Sequence, residues 1–138
     1  GSNFAGFEAE DINGKVVNYE SLKGKLVYVD VWATWCKPCL QELPAMKALQ
    51  EEYKGKDITI VSLSVDKDKE AWKAMVTEEK MQGVQLHIDL GAHRDFIENY
   101  DLTGIPRFFL ISKEGKIISI SAPRPSEAKI KELINANL

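Results

Sequence analysis

The segment VDVWATWCKPCLQELP, Val29–Pro44, contains both cysteines of this 138-residue chain. Two residues separate Cys36 from Cys39, and an acid, Asp30, lies six positions before the first cysteine. The branched and aromatic residues before the pair predict a strand buried on both faces. The apolar spacing after the pair predicts a helix. The cysteines are therefore expected at the junction of a buried strand and a helix.

This junction favours thiol chemistry at the first cysteine. Free main-chain N–H groups and the helix dipole favour the thiolate form of Cys36. The thiolate can attack a disulfide, and Cys39, one turn further on, can attack the mixed disulfide and release the product. Lys37 adds positive charge beside the thiolate, and Pro38 suits the first helical turn, where its missing N–H is tolerated.

Other roles for the two cysteines fit the sequence less well. A Cys36–Cys39 bridge closes a very small loop, so it would remove little chain entropy as a structural crosslink. A structural zinc site needs about four ligands. Only His87 and His93 could complete one, and ordinary structural roles are expected for both, so no metal is predicted.

Asp30 is the second candidate for a chemical role. It lies within an apolar strand that is expected to be central, where an uncompensated carboxylate is costly and its pKa should be raised. A protonatable acid near Cys39 could take up the proton as that thiol attacks. The alternative is a solvated Asp30 at the end of the strand.

Composition and charge limit the class of protein. Hydrophobic residues make up 44% and charged residues 28% of the chain, which is typical of a soluble globular protein. The net charge of −3 does not suggest nucleic acid or an anionic membrane as a partner. The length suits one domain over residues 1–138. Gly1-Ser2 resembles a cloning remnant, so a natural leader or membrane anchor could have been removed.

The order of predicted elements is α/β. A hairpin is expected around Asn13-Gly14, and strands alternate with helices until a late hairpin adds antiparallel strands. The result should be a mixed central sheet with helices on both faces. The predicted strands are Leu26–Ala33, Ile58–Val65, Val84–Ile88, Arg107–Ile111 and Lys116–Ile120, and the predicted helices are about Cys36–Tyr53, Glu70–Met81, His93–Tyr100 and Ser126–Ala136.

The segment from Val29 to Cys39 closely resembles the active-site segment of thioredoxin-fold proteins. Pro44 matches the helix-kinking proline of that family, and Thr103-Gly104-Ile105-Pro106 matches its second signature. The resemblance implies a three-layer α/β/α sandwich and a cis peptide bond before Pro106. It also implies a substrate groove shaped by Pro106, in which the main chain of Ile105 pairs with an incoming peptide; Trp35, Lys37 and Pro38 are expected beside it. Trp35, beside Cys36, is expected at the surface, where it could contact substrate.

Additional features resemble the TlpA/ResA-like branch, which comprises extracytoplasmic thiol-disulfide oxidoreductases of bacteria. They are the N-terminal hairpin, the Glu42-x-Pro44 pattern and an inserted helix-strand unit over about Glu70–Ile88. Pro123-Arg124-Pro125-Ser126 also resembles members from the Bacteroides group. The sequence departs from the usual pattern at Arg107, where thioredoxins often have threonine, and at Asp30, where many TlpA-like members have asparagine.

The resemblance implies an extracytoplasmic, monomeric reductase whose redox-active group is the Cys36–Cys39 disulfide, with no added cofactor. Its partners would be protein disulfides and an upstream thiol electron donor. A cytosolic tryparedoxin- or nucleoredoxin-like donor and a peptide-binding module without turnover remain alternatives. A peroxiredoxin is disfavoured because the chain has no P-x-x-x-T-x-x-C segment.

Overall fold

The structure is a computed structural model that describes all 138 residues, Gly1–Leu138. Seven strands form one mixed sheet in the order β2-β1-β5-β4-β3-β6-β7. The strands are β1 (Glu8–Glu10), β2 (Val16–Asn18), β3 (Leu26–Trp32), β4 (Ile58–Ser64), β5 (Val84–His87), β6 (Arg107–Ile111) and β7 (Ile117–Ser119). Strands β3, β4 and β5 pair in parallel, and all other pairs are antiparallel.

The predicted N-terminal hairpin is present as β1 and β2. Gly14 has a φ of 82°, which a glycine adopts without penalty, and the Asp11 carboxylate accepts hydrogen bonds from the N–H groups of Asn13 and Lys15. The predicted inserted helix-strand unit is also present, and it supplies β5. This strand lies between β4 and β1, so the insertion joins the hairpin to the rest of the sheet.

The central strand, β3, is buried along its whole length, as its apolar sequence predicts. Successive side chains of a strand point to opposite faces of the sheet. Val27, Val29 and Val31 therefore face one core, while Tyr28 and Trp32 face the other side. Asp30 belongs by this alternation to the face of Tyr28 and Trp32.

Helices cover both faces of the sheet. They are α1 (Lys37–Gln41), α2 (Leu43–Glu52), α3 (Lys69–Glu78), α4 (Arg94–Tyr100) and α5 (Lys129–Asn137). The face of Asp30 is covered by α1, α2, α3 and α5, and the opposite face by α4 together with the N-terminal aromatic residues. The predicted three-layer α/β/α architecture is confirmed. No helix has both the length and the apolar character needed to cross a bilayer.

Three predicted helices differ in their limits by more than one residue. The helix predicted over Glu70–Met81 is α3, which already ends at Glu78. The helix expected over Cys36–Tyr53 is divided at Glu42, because Pro44 lies in the first turn of α2 and has no N–H to continue the hydrogen-bond pattern of α1. The last helix begins at Lys129 rather than Ser126. Ser126 instead lies in a turn, where its N–H and hydroxyl both donate to the Glu42 carboxylate.

Candidate active site

The two cysteines form a disulfide at the N-terminus of α1. Cys36 is the N-cap residue, and its Sγ accepts a hydrogen bond from the N–H of Cys39 at 3.3 Å. Both residues are buried, with 4% of their surface exposed. The main-chain N–H of Cys39 at this helix end is therefore directed at the sulfur of Cys36, an arrangement that stabilises negative charge there.

The neighbours of the disulfide are much more accessible than the sulfurs. Trp35 is 70% exposed, an unusual position for a tryptophan, and Lys37 and Pro38 are also exposed. Pro38 occupies the first turn of α1, as expected. A partner can thus contact the residues around the disulfide before it reaches the buried sulfur atoms.

The second signature lies against the cysteine pair. The Ile105–Pro106 peptide bond is cis, and the Ile105 side chain packs against the cluster that contains Cys36 and Cys39. Ile105 and Trp35 line one groove of about 880 Å³, together with Thr34, Val65, Asp66, Lys67, Asp68, Ala71, Leu90, Leu102, Thr103 and Gly104. Lys37, Pro38 and Pro106 do not line this groove, although the sequence associates them with it.

The predicted burial of Asp30 is observed. The residue is 7% exposed, so the alternative of a solvated strand end is wrong. The pKa of its carboxyl is raised to about 7, chiefly by burial; a side-chain hydrogen bond with Ser62 lowers the pKa, and the nearby Glu42 charge raises it. A carboxyl of this kind is partly ionised at neutral pH, so it can both accept and release a proton.

Glu42 is a buried carboxylate. The sequence indicated it only as part of the Glu42-x-Pro44 pattern and did not predict its burial. It is 9% exposed, and its two oxygens accept from Ser126, at 3.0 Å from the N–H and 2.8 Å from the hydroxyl. These bonds fix the junction of α1 and α2 to the turn before α5. They therefore hold the end of the helix that carries Cys39.

A second polar network fixes the loop before Cys36. The Asp66 carboxylate accepts from the N–H and hydroxyl of Thr34, at 3.1 Å and 2.7 Å, and from the hydroxyl of Ser64. His87 Nε2 lies 2.6 Å from the main-chain oxygen of Asp66, and its ring lies beside the Trp72 ring. His87 thus has the ordinary structural role expected of it. No group of three or more His, Cys, Asp and Glu side chains is arranged to hold a metal ion.

Arg107, which departs from the thioredoxin pattern, supports the cis-proline loop. Its guanidinium donates to the main-chain oxygens of Tyr100, Asp101 and Ile120, and it lies 5.5 Å from the centre of the Phe109 ring. The bonds to Tyr100 and Asp101 attach the start of β6 to the end of α4, and the bond to Ile120 attaches it to the residue after β7. The substitution therefore has a structural explanation.

A disulfide at a helix N-terminus, packed against a cis-proline loop within a thioredoxin-type sheet, defines a thiol-disulfide oxidoreductase of the thioredoxin fold. Comparison with known proteins gives the family. A Redoxin family profile matches residues 1–134, and the chain belongs to this family.

Individual relatives agree with this class. The chain is 33% identical over 135 residues to the thiol-disulfide oxidoreductase ResA of Bacillus subtilis, covering 98% of this chain and 74% of that protein. Across the Bacillus ResA proteins it matches, the chain spans 63–74% of their length.

Solved structures give the same result. A solution structure from Bacteroides vulgatus, described as a candidate thiol-disulfide oxidoreductase, is 54% identical with a TM-score of 0.85, covering 96% of this chain and 86% of that one. The thioredoxin domain of another thiol-disulfide oxidoreductase from Bacteroides vulgatus is 29% identical with a TM-score of 0.87, covering 99% and 95%.

Proposed function

We propose that the protein reduces disulfide bonds of extracytoplasmic proteins, with Cys36 as the nucleophile and Cys39 as the resolving residue. The observation that carries the proposal is the position of Cys36. Its sulfur caps α1, where an N–H contact favours the thiolate, and it lies beside a groove open to a polypeptide.

The reaction runs in two exchanges. The Cys36 thiolate attacks one sulfur of the substrate disulfide, a mixed disulfide forms, and the other substrate sulfur leaves as a thiolate. Asp30 then takes the proton from the Cys39 thiol, and the Cys39 thiolate attacks the Cys36 sulfur. The second substrate thiolate leaves, and the Cys36–Cys39 disulfide is formed. An upstream thiol donor supplies two electrons and two protons to regenerate the dithiol.

The groove beside the disulfide suits an extended peptide. Trp35 and Ile105 provide apolar contact surface, and the main chain of Ile105 can pair with the substrate backbone. Lys37 and Pro38 flank the disulfide on the exposed side. Recognition through main-chain pairing and apolar contact would accept several protein substrates rather than one small molecule.

The residues between the cysteines support the reducing direction. Strong oxidants of this fold have a histidine there, which Lys37-Pro38 lacks, and the proline resembles reductive members.

The extracytoplasmic location is supported by the likeness to ResA and to an interchange protein DsbE from Chlorobium tepidum. The protein is proposed to act as a monomer, without a cofactor beyond its own disulfide. A cytosolic electron donor is the alternative, and fractionation of the native host separates the two.

The Cys39→Ser variant tests the assignment of the two cysteines. Without a resolving thiol, the mixed disulfide on Cys36 should persist, so we expect near-complete conversion to a covalent adduct when the reduced variant meets an excess of oxidised substrate protein. Non-reducing gels and intact mass spectrometry measure the adduct. Cys36→Ser is the matched control and should give none. If the adduct accumulates on Cys36→Ser rather than on Cys39→Ser, the roles are reversed.

A further inference from the structure

Three polar side chains form a row across the parallel part of the sheet. Asp30 on β3 is in register with Ser62 on β4, and Ser62 is in register with Gln85 on β5. Residues in register on neighbouring strands project to the same face. This is the face covered by α2, and the residues around the row are otherwise largely apolar.

The row ends in a cavity that Asp30 itself does not line. The cavity has a volume of about 520 Å³ and lies between α2 and the segment that follows α3. Ser62 and Gln85 both line it, with Leu43, Met46 and Met81 among their apolar neighbours. Because only 1% of the Ser62 surface is exposed, the serine lies at the inner end of the cavity.

One buried polar atom of Gln85 has no hydrogen-bond partner in the protein. Its Nε2 donates to the main-chain oxygen of Gln82 at 2.7 Å, but its buried Oε1 accepts no hydrogen bond from the protein. A buried acceptor on a cavity wider than a water molecule is a site where water binds, particularly with a hydroxyl nearby. Ser62, which is in register with Gln85, provides this hydroxyl.

We propose that Ser62, with water held by Gln85, is the proton path that connects Asp30 to solvent through this cavity. The inference rests on the role of Asp30 given in the proposed function. After Asp30 has taken the Cys39 proton, its O–H donates to the Ser62 oxygen. The Ser62 hydroxyl proton passes to the water beside Gln85, and that water releases a proton to bulk solvent. Asp30 is left ionised for the next turnover.

Few other groups around Asp30 could carry its proton to solvent. At the α1–α2 junction, the charge that acts on Asp30 is that of Glu42, whose oxygens accept from Ser126. Its partner on β6 is Phe108, which carries no proton-transfer group. Tyr28, on its own strand, donates its hydroxyl to the main-chain oxygen of Pro123. The cavity, by contrast, is lined by three exposed charged side chains: Lys47, Glu51 and Glu79.

The reaction of the reduced protein with Ellman's reagent tests the path. Attack by Cys36 releases the first thionitrobenzoate, and resolution by Cys39 releases the second, so stopped-flow absorbance separates the two steps. In dilute buffer near pH 6, most molecules start with Asp30 protonated, because its pKa is raised to about 7, and Asp30 must lose that proton along the path before it can accept one from Cys39. We therefore expect Ser62→Ala and Gln85→Leu to slow the second step about tenfold, a fraction of the ~10²–10⁴ that a general base contributes. The first step should be unchanged. Imidazole, a small proton carrier, should restore the second step.

Two variants serve as controls. Ser62→Thr keeps the hydroxyl and should resolve at the wild-type rate. Gln50→Leu makes the same change as Gln85→Leu in a glutamine of the same cavity, which donates to the same Gln82 oxygen, but Gln50 lies on α2 outside the row. It should also match the wild type.

The possible results distinguish a failure of the proton path from a failure of the proposed role of Asp30. A wild-type second step in Ser62→Ala or in Gln85→Leu overturns the path, as does slowing that imidazole does not relieve. If Asp30→Asn also resolves at the wild-type rate, the role of Asp30 as base fails together with the path. If Asp30→Asn is slow while both path variants are fast, only the path fails.

Discussion

Replacement of Cys36 by serine should reduce disulfide reductase activity to the background of the reductant alone. A serine hydroxyl is not ionised at neutral pH and forms no stable bond to sulfur, so the first exchange has no nucleophile. Loss of a nucleophile lowers turnover by on the order of 10³-fold or more. Insulin reduction in the presence of dithiothreitol measures the effect.

The control for this variant is its stability. The Cys36–Cys39 bridge spans a separation of three residues, so its loss should change the stability of the fold little. Circular dichroism and urea unfolding of Cys36→Ser should therefore resemble those of the reduced wild type. Substantial insulin reduction by a folded Cys36→Ser protein would contradict the mechanism.

Replacement of Asp30 by asparagine should stabilise the protein at pH 8. Burial raises the pKa of the Asp30 carboxyl from its usual 3.8 to about 7. The folded state therefore holds a proton that the unfolded state has lost, and wild-type stability falls as the pH rises from about 4 through about 7. Since one pKa unit corresponds to about 1.4 kcal/mol, asparagine should add up to about 4 kcal/mol to the free energy of unfolding at pH 8 and little at pH 4.

Urea unfolding of the oxidised protein between pH 4 and pH 8 measures this difference. Asp57→Asn is the matched control, because Asp57 is an exposed aspartate whose pKa is lowered by its hydrogen bond and ion pair with Lys113. It should show no gain in stability at pH 8. Parallel stability curves for the wild type and Asp30→Asn across this range would mean that the Asp30 carboxyl is not buried as described.

The parts of the fold that depend on local sequence could be predicted. The apolar run of β3 specified a strand buried on both faces, and the Asn13-Gly14 turn specified the hairpin. The burial of Asp30 could be predicted from the same strand, because its neighbours in sequence on both sides are apolar. The cysteine spacing with the second signature then located the site.

Features that depend on contacts between distant segments could not be predicted. Glu42 and Ser126 are 84 positions apart, so nothing near Glu42 indicates a buried carboxylate with two donors. The order of strands that places β5 beside β4 brings Gln85 into register with Ser62, and no local pattern fixes that order. The contacts of Arg107 with the end of α4 likewise exist only in the folded chain.

The equilibrium reduction potential of the Cys36–Cys39 pair tests the central claim most directly. Titration against dithiothreitol or glutathione, with thiol labelling or Trp35 fluorescence as the readout, gives the value. The account predicts one two-electron transition close to the value of thioredoxin, about −270 mV, as suits a protein that delivers electrons. A transition near that of a strong oxidant, about −120 mV, or no two-electron transition at all, would contradict it.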